Sequence, residues 1–421
     1  MRVLLTSWGS YGDLNPFLGL ALGLRARGHE PVLATLEAYR EHVEREGIAF
    51  APLRPFVSLD DHETVARIMD PARGSEFLLR ELILPRVRDQ YADLDAAAEG
   101  ADLLVSHPAV PAGPIVGERR GLPWLSSVLA PLSFFSLTDF PVLPPIRWIG
   151  GARRNPGIAR ALRGLSRLAM RGWAEPVHAL RRELGLPRGG EPVLEGQFSP
   201  HGTLALFSRV LAAPQPDWPA RTTVTGTIFF DRTAGTLPPG LEAFLAAGPP
   251  PVVFTLGSAA VATPGGFYRA SVAAAAALGL RAVLLVGRGP GGRPAAGRPT
   301  EPLPDTVHVE EVAPFSALFP RAAAIVHQGG AGTLAQALRA GRPQLVVPFA
   351  HDQPDNADRV ARLGIARTIR PERYTPLAAA GALGALLDGD AARRAEAVGR
   401  TVRAEDGVAA ACGATEAAAA R

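Results

Sequence analysis

One stretch constrains this chain more than any other: residues 323–360, AAIVHQGGAGTLAQALRAGRPQLVVPFAHDQPDNADRV. The apolar run 323–326 ends in His327, the glycine-rich turn Gly329-Gly330-Ala331-Gly332 follows, and residues 333–340 carry helical apolar spacing. Gly341 stops that helix, Arg342-Pro343 turns the chain, and residues 344–348 read as a second strand. Strand, glycine turn, helix and strand make one βαβ unit, for which a right-handed crossover is expected. Glycines let backbone approach a ligand closely, and the first N–H groups of a helix are unpaired and partly positive. The turn therefore predicts a phosphate or diphosphate site. His327, at the strand's carboxyl end, is a candidate extra donor. The second strand empties into Phe349-Ala350-His351-Asp352-Gln353-Pro354, where an acid beside an amide suits vicinal hydroxyls. Diphosphate donors next to hydroxyl readers predict a nucleotide-sugar.

A chain of 421 residues exceeds one ordinary core, so two domains are expected. A hydrophobic content of 47% with 20% charge is that of a soluble globular protein. The one cysteine, Cys412, excludes disulfides and cysteine-based zinc sites and fits a reducing cytoplasm. The start, MRVLLTSWGSYGD, reads as a strand rather than a secretion signal. The longest apolar region, 122–137, is too short for a bilayer and contains Pro123 and Pro131, so no transmembrane anchor is expected. All 44 basic residues are arginine, which excludes a lysine Schiff base and a Walker lysine. A net charge of +4 that is spread along a chain with few aromatics argues against nucleic-acid binding.

The amino-terminal part repeats the βαβ theme. Residues 2–6 read as a strand, 17–27 as a helix ended by Gly28, and 31–35 as the next strand. Gly9 and Gly12 lack the third glycine of a dinucleotide fingerprint, and Glu37 is a poor ribose acid. Asn15-Pro16 suits a helix cap and first turn.

The segment 323–360 resembles the donor-binding signature of nucleotide-sugar glycosyltransferases with two Rossmann-like domains (the GT-B type), written H-x-G-G-x-G-T followed by a D-Q pair. Bacterial antibiotic, sterol and rhamnolipid-type transferases are the nearest in appearance. The resemblance implies two facing Rossmann-like domains: 1–212 for the acceptor, a linker at 213–232, and 233–385 for the donor. A terminal helix within 386–421 would cross back to the first domain. It assigns the donor to Ser258, Val312, His327, Gly329, Gly330, Ala331, Gly332, Thr333, Gln336, Asp352 and Gln353. Many relatives carry an acid near 336 to hold ribose hydroxyls, so Gln336 is a departure; Gln328, often His or Cys, is a minor one. The first glycine loop, with Gly12, would lie under the acceptor, and Asp13 would be the general base that takes the acceptor's proton. A helix-capping role for Asp13 stays open.

Residues 102–145 resemble the same bacterial group and would line an apolar acceptor pocket with Phe134, Phe135, Phe140 and Trp124, the last reading equally well as core, and with His107 as either a polar contact to the acceptor or an inert loop histidine. Asp93-x-Asp95 has the spacing that metal-dependent transferases of another fold use, but it reads here as a solvated helix face, and Asp388-Gly389-Asp390 reads as a turn. Residues 140–174 hold seven arginines (147, 153, 154, 160, 163, 167 and 171) and no acid. A solvated helix face is one reading and peripheral contact with anionic lipid the other. The glycine-rich loop 287–297 connects two expected strands, and 311–315 resembles the segment that meets the base. The implied reaction is inverting, metal-independent transfer of a hexose from a UDP- or dTDP-sugar to a hydroxyl of a small hydrophobic acceptor, with no cofactor. Competing readings are a non-hydrolysing nucleotide-sugar epimerase and a non-catalytic partner of another transferase. Oligomeric state, sugar and acceptor stay open.

Overall fold

The structure is a computed structural model and describes residues 1–57, 61–231, 235–258, 260–288 and 297–420, apart from the side chains of 62 and 145–148. Most of the loop 287–297, and the side chains of Arg147 and Trp148, thus lie outside the described residues. Two parallel sheets organise it. The first has seven strands: β1 (Arg2–Thr6), β2 (Glu30–Thr35), β3 (Ala49–Pro52), β4 (Leu103–Ser106), β5 (Trp124–Val128), β6 (Thr203–Ala205) and β7 (Thr222–Val224), in the order β3-β2-β1-β4-β5-β6-β7. The second has six: β8 (Val252–Thr255), β9 (Ala282–Leu285), β10 (Val307–Glu310), β11 (Ala324–His327), β12 (Gln344–Val346) and β13 (Ala366–Thr368), in the order β10-β9-β8-β11-β12-β13.

Strands such as Val3-Leu4-Leu5 and Val252-Val253-Phe254 are fully buried, because a parallel sheet is covered by helices on both faces. Six helices matter below: α1 (Tyr11–Ala26), α2 (Pro156–Met170), α3 (Ala331–Ala340), α4 (Gln353–Arg362), α5 (Ala391–Arg403) and α6 (Gly407–Ala419). In each sheet the strand order reverses beside the first strand. β1 pairs with both β2 and β4, and β8 with both β9 and β11. Such a reversal opens a crevice at the carboxyl ends of the strands, the place where ligands bind to open α/β sheets.

Two compact units result. One comprises Met1–Ser58, Ser75–Phe230 and Glu405–Arg421; the other comprises Leu59–Gly74 and Asp231–Ala404. These bounds differ from the expected ones at three points. The expected linker contains β7, the edge strand of the first sheet, which pairs Thr222–Val224 with β6 despite the prolines before it. Val65 and Met69, far up the chain, sit in the core of the second unit. The tail is two helices rather than one, of which α5 packs on α3 in the second unit and α6 on α1 in the first. α1 also starts earlier than expected, at Tyr11, so Asn15 and Pro16 lie inside it and do not cap it. β3 was not expected, since its AFAP sequence carries no period.

Candidate functional site

In the second unit, the turns after β8 and β11 lie on adjacent strands. Gly329 has φ +88°, and a Cβ there would come 2.8 Å from Val346 Cγ1, so only glycine fits. Gly330 is the N-cap of α3, and no side chain caps it. The opening N–H groups of α3 therefore have no side-chain cap. Gly257, at φ +66°, begins the other turn, and Ser258 after it is exposed. Gln328, 6% exposed, separates the two turns. Its Nε2 lies 2.3 Å from where a Cβ on Gly257 would sit and 2.9 Å from one on Gly330, and it reaches Thr333 Oγ1 at 3.5 Å. Gln328 therefore matters more than the sequence reading allowed.

His327 does not contribute a donor to that space. It is fully buried; Nδ1 accepts the Gly329 N–H at 3.0 Å and Nε2 faces Gln344 Oε1 at 2.9 Å. An acceptor Nδ1 fixes the proton on Nε2, which then donates to Gln344. Burial lowers its pKa to about 4, against a smaller opposing hydrogen bond from Gln344. The ring is neutral and shapes the glycine turn from behind.

Asp352 precedes α4, and its Oδ2 accepts from Asn356 Nδ2 at 2.7 Å. Gln353 Oε1 accepts the N–H groups of Phe349 and Ala350 at 2.8 and 3.2 Å. That orients the amide and leaves Nε2 as its remaining donor. Asn356 also donates to the Gly329 carbonyl at 2.9 Å, a tie the sequence reading missed. Gln336 lies on α3 beside Asp231, and Val312 is 52% exposed on its loop.

In the first unit, the loop after β1 leads into α1 through a capping box. Ser10 Oγ accepts the Gly12 N–H at 3.2 Å, and Asp13 Oδ2 accepts from Ser10 N and Oγ at 2.8 and 3.0 Å. The Gly12 N–H is thus spent on the cap rather than offered to an acceptor. Asp13 caps through Oδ2, while Oδ1 lies 3.5 Å from His107 Nε2 and the side chain stays 34% exposed. Ala109 N–H donates to His107 Nδ1 at 3.1 Å, which leaves Nε2 to carry a proton toward Asp13. Burial opposes the Asp13 charge, but the His107 hydrogen bond and charge and the two Ser10 bonds outweigh it and hold its carboxyl below the ordinary aspartate value.

His107 is 5% exposed and backs Asp13 instead of lining a pocket. Phe134 is core as well. It stacks on Trp218 at 4.0 Å and on Phe198 at 5.7 Å and is 4% exposed. Phe135, at φ +48°, packs edge-on to Phe140 in a separate buried cluster, and Trp124 is 3% exposed. Sequence alone could not distinguish these rings from a ligand-facing set, because apolar loops read the same way in both roles. Asp93 and Asp95 pair with different arginines, Arg54 at 2.7 Å and Arg120 at 2.6 Å, so the D-x-D spacing holds ion pairs. Among the described residues, no group of three or more His, Cys, Asp or Glu side chains could hold a metal ion.

The fold matches known proteins. The chain superimposes on the glycotransferase of kitacinnamycin with a TM-score of 0.75 at 24% identity, over 99% of this chain and 98% of that one. It also superimposes on the glycosyltransferase VinC in complex with DTDP with a TM-score of 0.67 at 24% identity, over 99% of each chain. These place the fold among the GT-B glycosyltransferases. Residues 3–131 match the glycosyltransferase family 28 N-terminal domain, and residues 294–418 match the erythromycin biosynthesis protein CIII-like C-terminal domain. The chain is 35% identical to the O-mycaminosyltylonolide 6-deoxyallosyltransferase of Streptomyces fradiae, over 98% of this chain and 96% of that protein. It belongs to this family of antibiotic-type glycosyltransferases and is an enzyme.

Proposed function

We propose that this enzyme transfers a hexose, with inversion, from a UDP- or dTDP-sugar to a hydroxyl of a small hydrophobic natural-product acceptor, without a divalent ion or cofactor. The observation that carries the donor reading is the uncapped start of α3 at Gly330, held open by three glycines at a strand-order reversal. Its N–H groups stabilise the negative charge that grows on the departing diphosphate, an electrostatic role a metal plays elsewhere. Gln353 Nε2 and Asp352 read the sugar hydroxyls. Asp13 takes the acceptor's proton, and His107 behind it keeps the carboxylate ionised. The relative named for O-mycaminosyltylonolide and the neighbour solved with DTDP support this acceptor class and a thymidine diphosphate donor.

Incubation with UDP- and dTDP-sugar panels and natural-product hydroxyl acceptors, followed by mass spectrometry and anomeric NMR, tests the reading. A product of opposite anomeric configuration, unaffected by EDTA, is expected. Retention, or loss with EDTA and recovery with magnesium, would overturn the corresponding part, and an altered sugar without acceptor would mark an epimerase.

We further propose a cytoplasmic enzyme that touches anionic lipid through α2. Ile158, Leu165 and Leu168 are 39%, 62% and 67% exposed there, beside Arg160 and Arg171. Arg167 is partly spent on Glu195 at 2.8 Å. Failure to float with phosphatidylserine vesicles would remove this contact. Among the described residues no helix is long and apolar enough to cross a membrane.

A further inference from the structure

On α3 the positions that are not buried include Gly332, Gln336 and Arg339, spaced i, i+4 and i+7 and therefore on one face. This stripe begins in the phosphate turn, and Gln336 stands about 6 Å further along the axis than Gly332. A nucleoside bonded to a diphosphate on that turn keeps its ribose within about one helical turn of it. A carboxylate lies against the stripe. Asp231 Oδ1 accepts from Gln336 Nε2 at 3.1 Å and Arg339 Nη2 at 3.0 Å, and Oδ2 accepts from the same Nη2 at 2.7 Å. Arg339 Nη2 also donates to Gln336 Oε1 at 2.7 Å, so the amide's acceptor is already engaged. Asp231 keeps 34% of its side chain exposed, against 22% for Arg339.

A carboxylate has two oxygens and about four acceptor sites, whereas an amide has one oxygen. Three hydrogen bonds fix this carboxylate and still leave it acceptor capacity toward solvent. We propose that Asp231 reads the ribose hydroxyls of the donor, with Gln336 and Arg339 as its positioning residues. The acid comes from Asp231, where the chain re-enters the second unit, while α3 itself supplies an amide. The proposal rests on reading the glycine turn as the diphosphate site.

Calorimetry on the full chain with UDP, dTDP and inorganic pyrophosphate, using Asp231→Asn, Gln336→Glu and the double variant, separates the possibilities. Asp231→Asn is expected to weaken UDP about tenfold or more and to leave pyrophosphate unchanged. Gln336→Glu alone sets two carboxylates together and weakens UDP; the double variant returns the acid to α3 and recovers most of the loss. If Asp231 only anchors its segment through Arg339, Asp231→Asn lowers the melting temperature and leaves the UDP-to-pyrophosphate ratio unchanged, which overturns the proposal. If the wild-type chain binds none of the three probes, the diphosphate reading fails and takes this inference with it.

Discussion

Asn356 Nδ2 lies 2.9 Å from the Gly329 carbonyl oxygen, and the same nitrogen lies 2.7 Å from an Asp352 carboxylate oxygen. One amide, 1% exposed, thus joins the backbone of the glycine turn to Asp352, the acid proposed to read the sugar hydroxyls. Asn356→Asp keeps the shape, removes the donor and sets a carboxylate against both acceptors. The expected result is a donor KM about tenfold higher or more, since an unmet buried polar group costs about 1–3 kcal/mol. Steady-state kinetics with the donor varied checks it; an unchanged KM would confine Asn356 to structure.

Asp13→Asn separates capping from catalysis. The amide oxygen still accepts from Ser10, so the helix start survives, but no base remains. Turnover should fall about 10²- to 10⁴-fold with nucleotide affinity unchanged. A variant with near-normal turnover would leave Asp13 as a cap alone.

The pH profile reports on His107. With Asp13 held below its ordinary value, it stays ionised down to the acid side of the carboxylate range, and the acid limb of kcat should lie there. His107→Ala removes both the hydrogen bond and the charge that lower it, while burial, which raises it, persists. The limb is expected to move to higher pH, with kcat at neutral pH less affected. A limb that stays where it was would mean His107 has no electrostatic hold on Asp13.

His327 makes stability depend on pH in the opposite sense to a paired histidine. Its folded pKa of about 4 lies below the ordinary histidine value of 6.5, so between these values the unfolded chain binds more protons. Stability rises with pH through that window, is complete above it, and falls by on the order of 3 kcal/mol as pH drops through it. Denaturant melts at several pH values should show this slope, and His327→Asn should be less stable at neutral pH but lack the slope. Parallel slopes would contradict the assignment.

The second sheet's central βαβ unit was legible because glycine, helix period and apolar run agree within 24 residues, from Ala324 through β12 and on to Val347 in one stretch of sequence. The partners that tune the site were not. Asn356 and Gln344 reach Gly329 and His327 only after folding, and no local pattern marks either. Asp231 stood in what read as linker. On the acceptor side, the start of α1 was misplaced because Asn15-Pro16 resembles a cap, whereas the reciprocal Ser10–Asp13 box won. Phe134 and Phe135 show the limit of apolar content as a guide: stacking on Trp218, across more than 80 residues of sequence, decides the fate of the first.

The packing of α6 on α1 has a consequence for engineering. Gly23 of α1 faces Val408 and Cys412 so closely that a Cβ would come within 2.4 and 2.9 Å of their side chains. The first unit is interrupted in sequence: the second takes Leu59–Gly74 and then Asp231–Ala404 out of it. A chimera that exchanges donor halves at one junction carries a foreign last helix onto a native first one and meets that close fit. Junctions after Phe230 and between Ala404 and Glu405 keep the α1–α6 pair native, and Leu59–Gly74, whose Val65 and Met69 sit in the exchanged core, has to be exchanged with it.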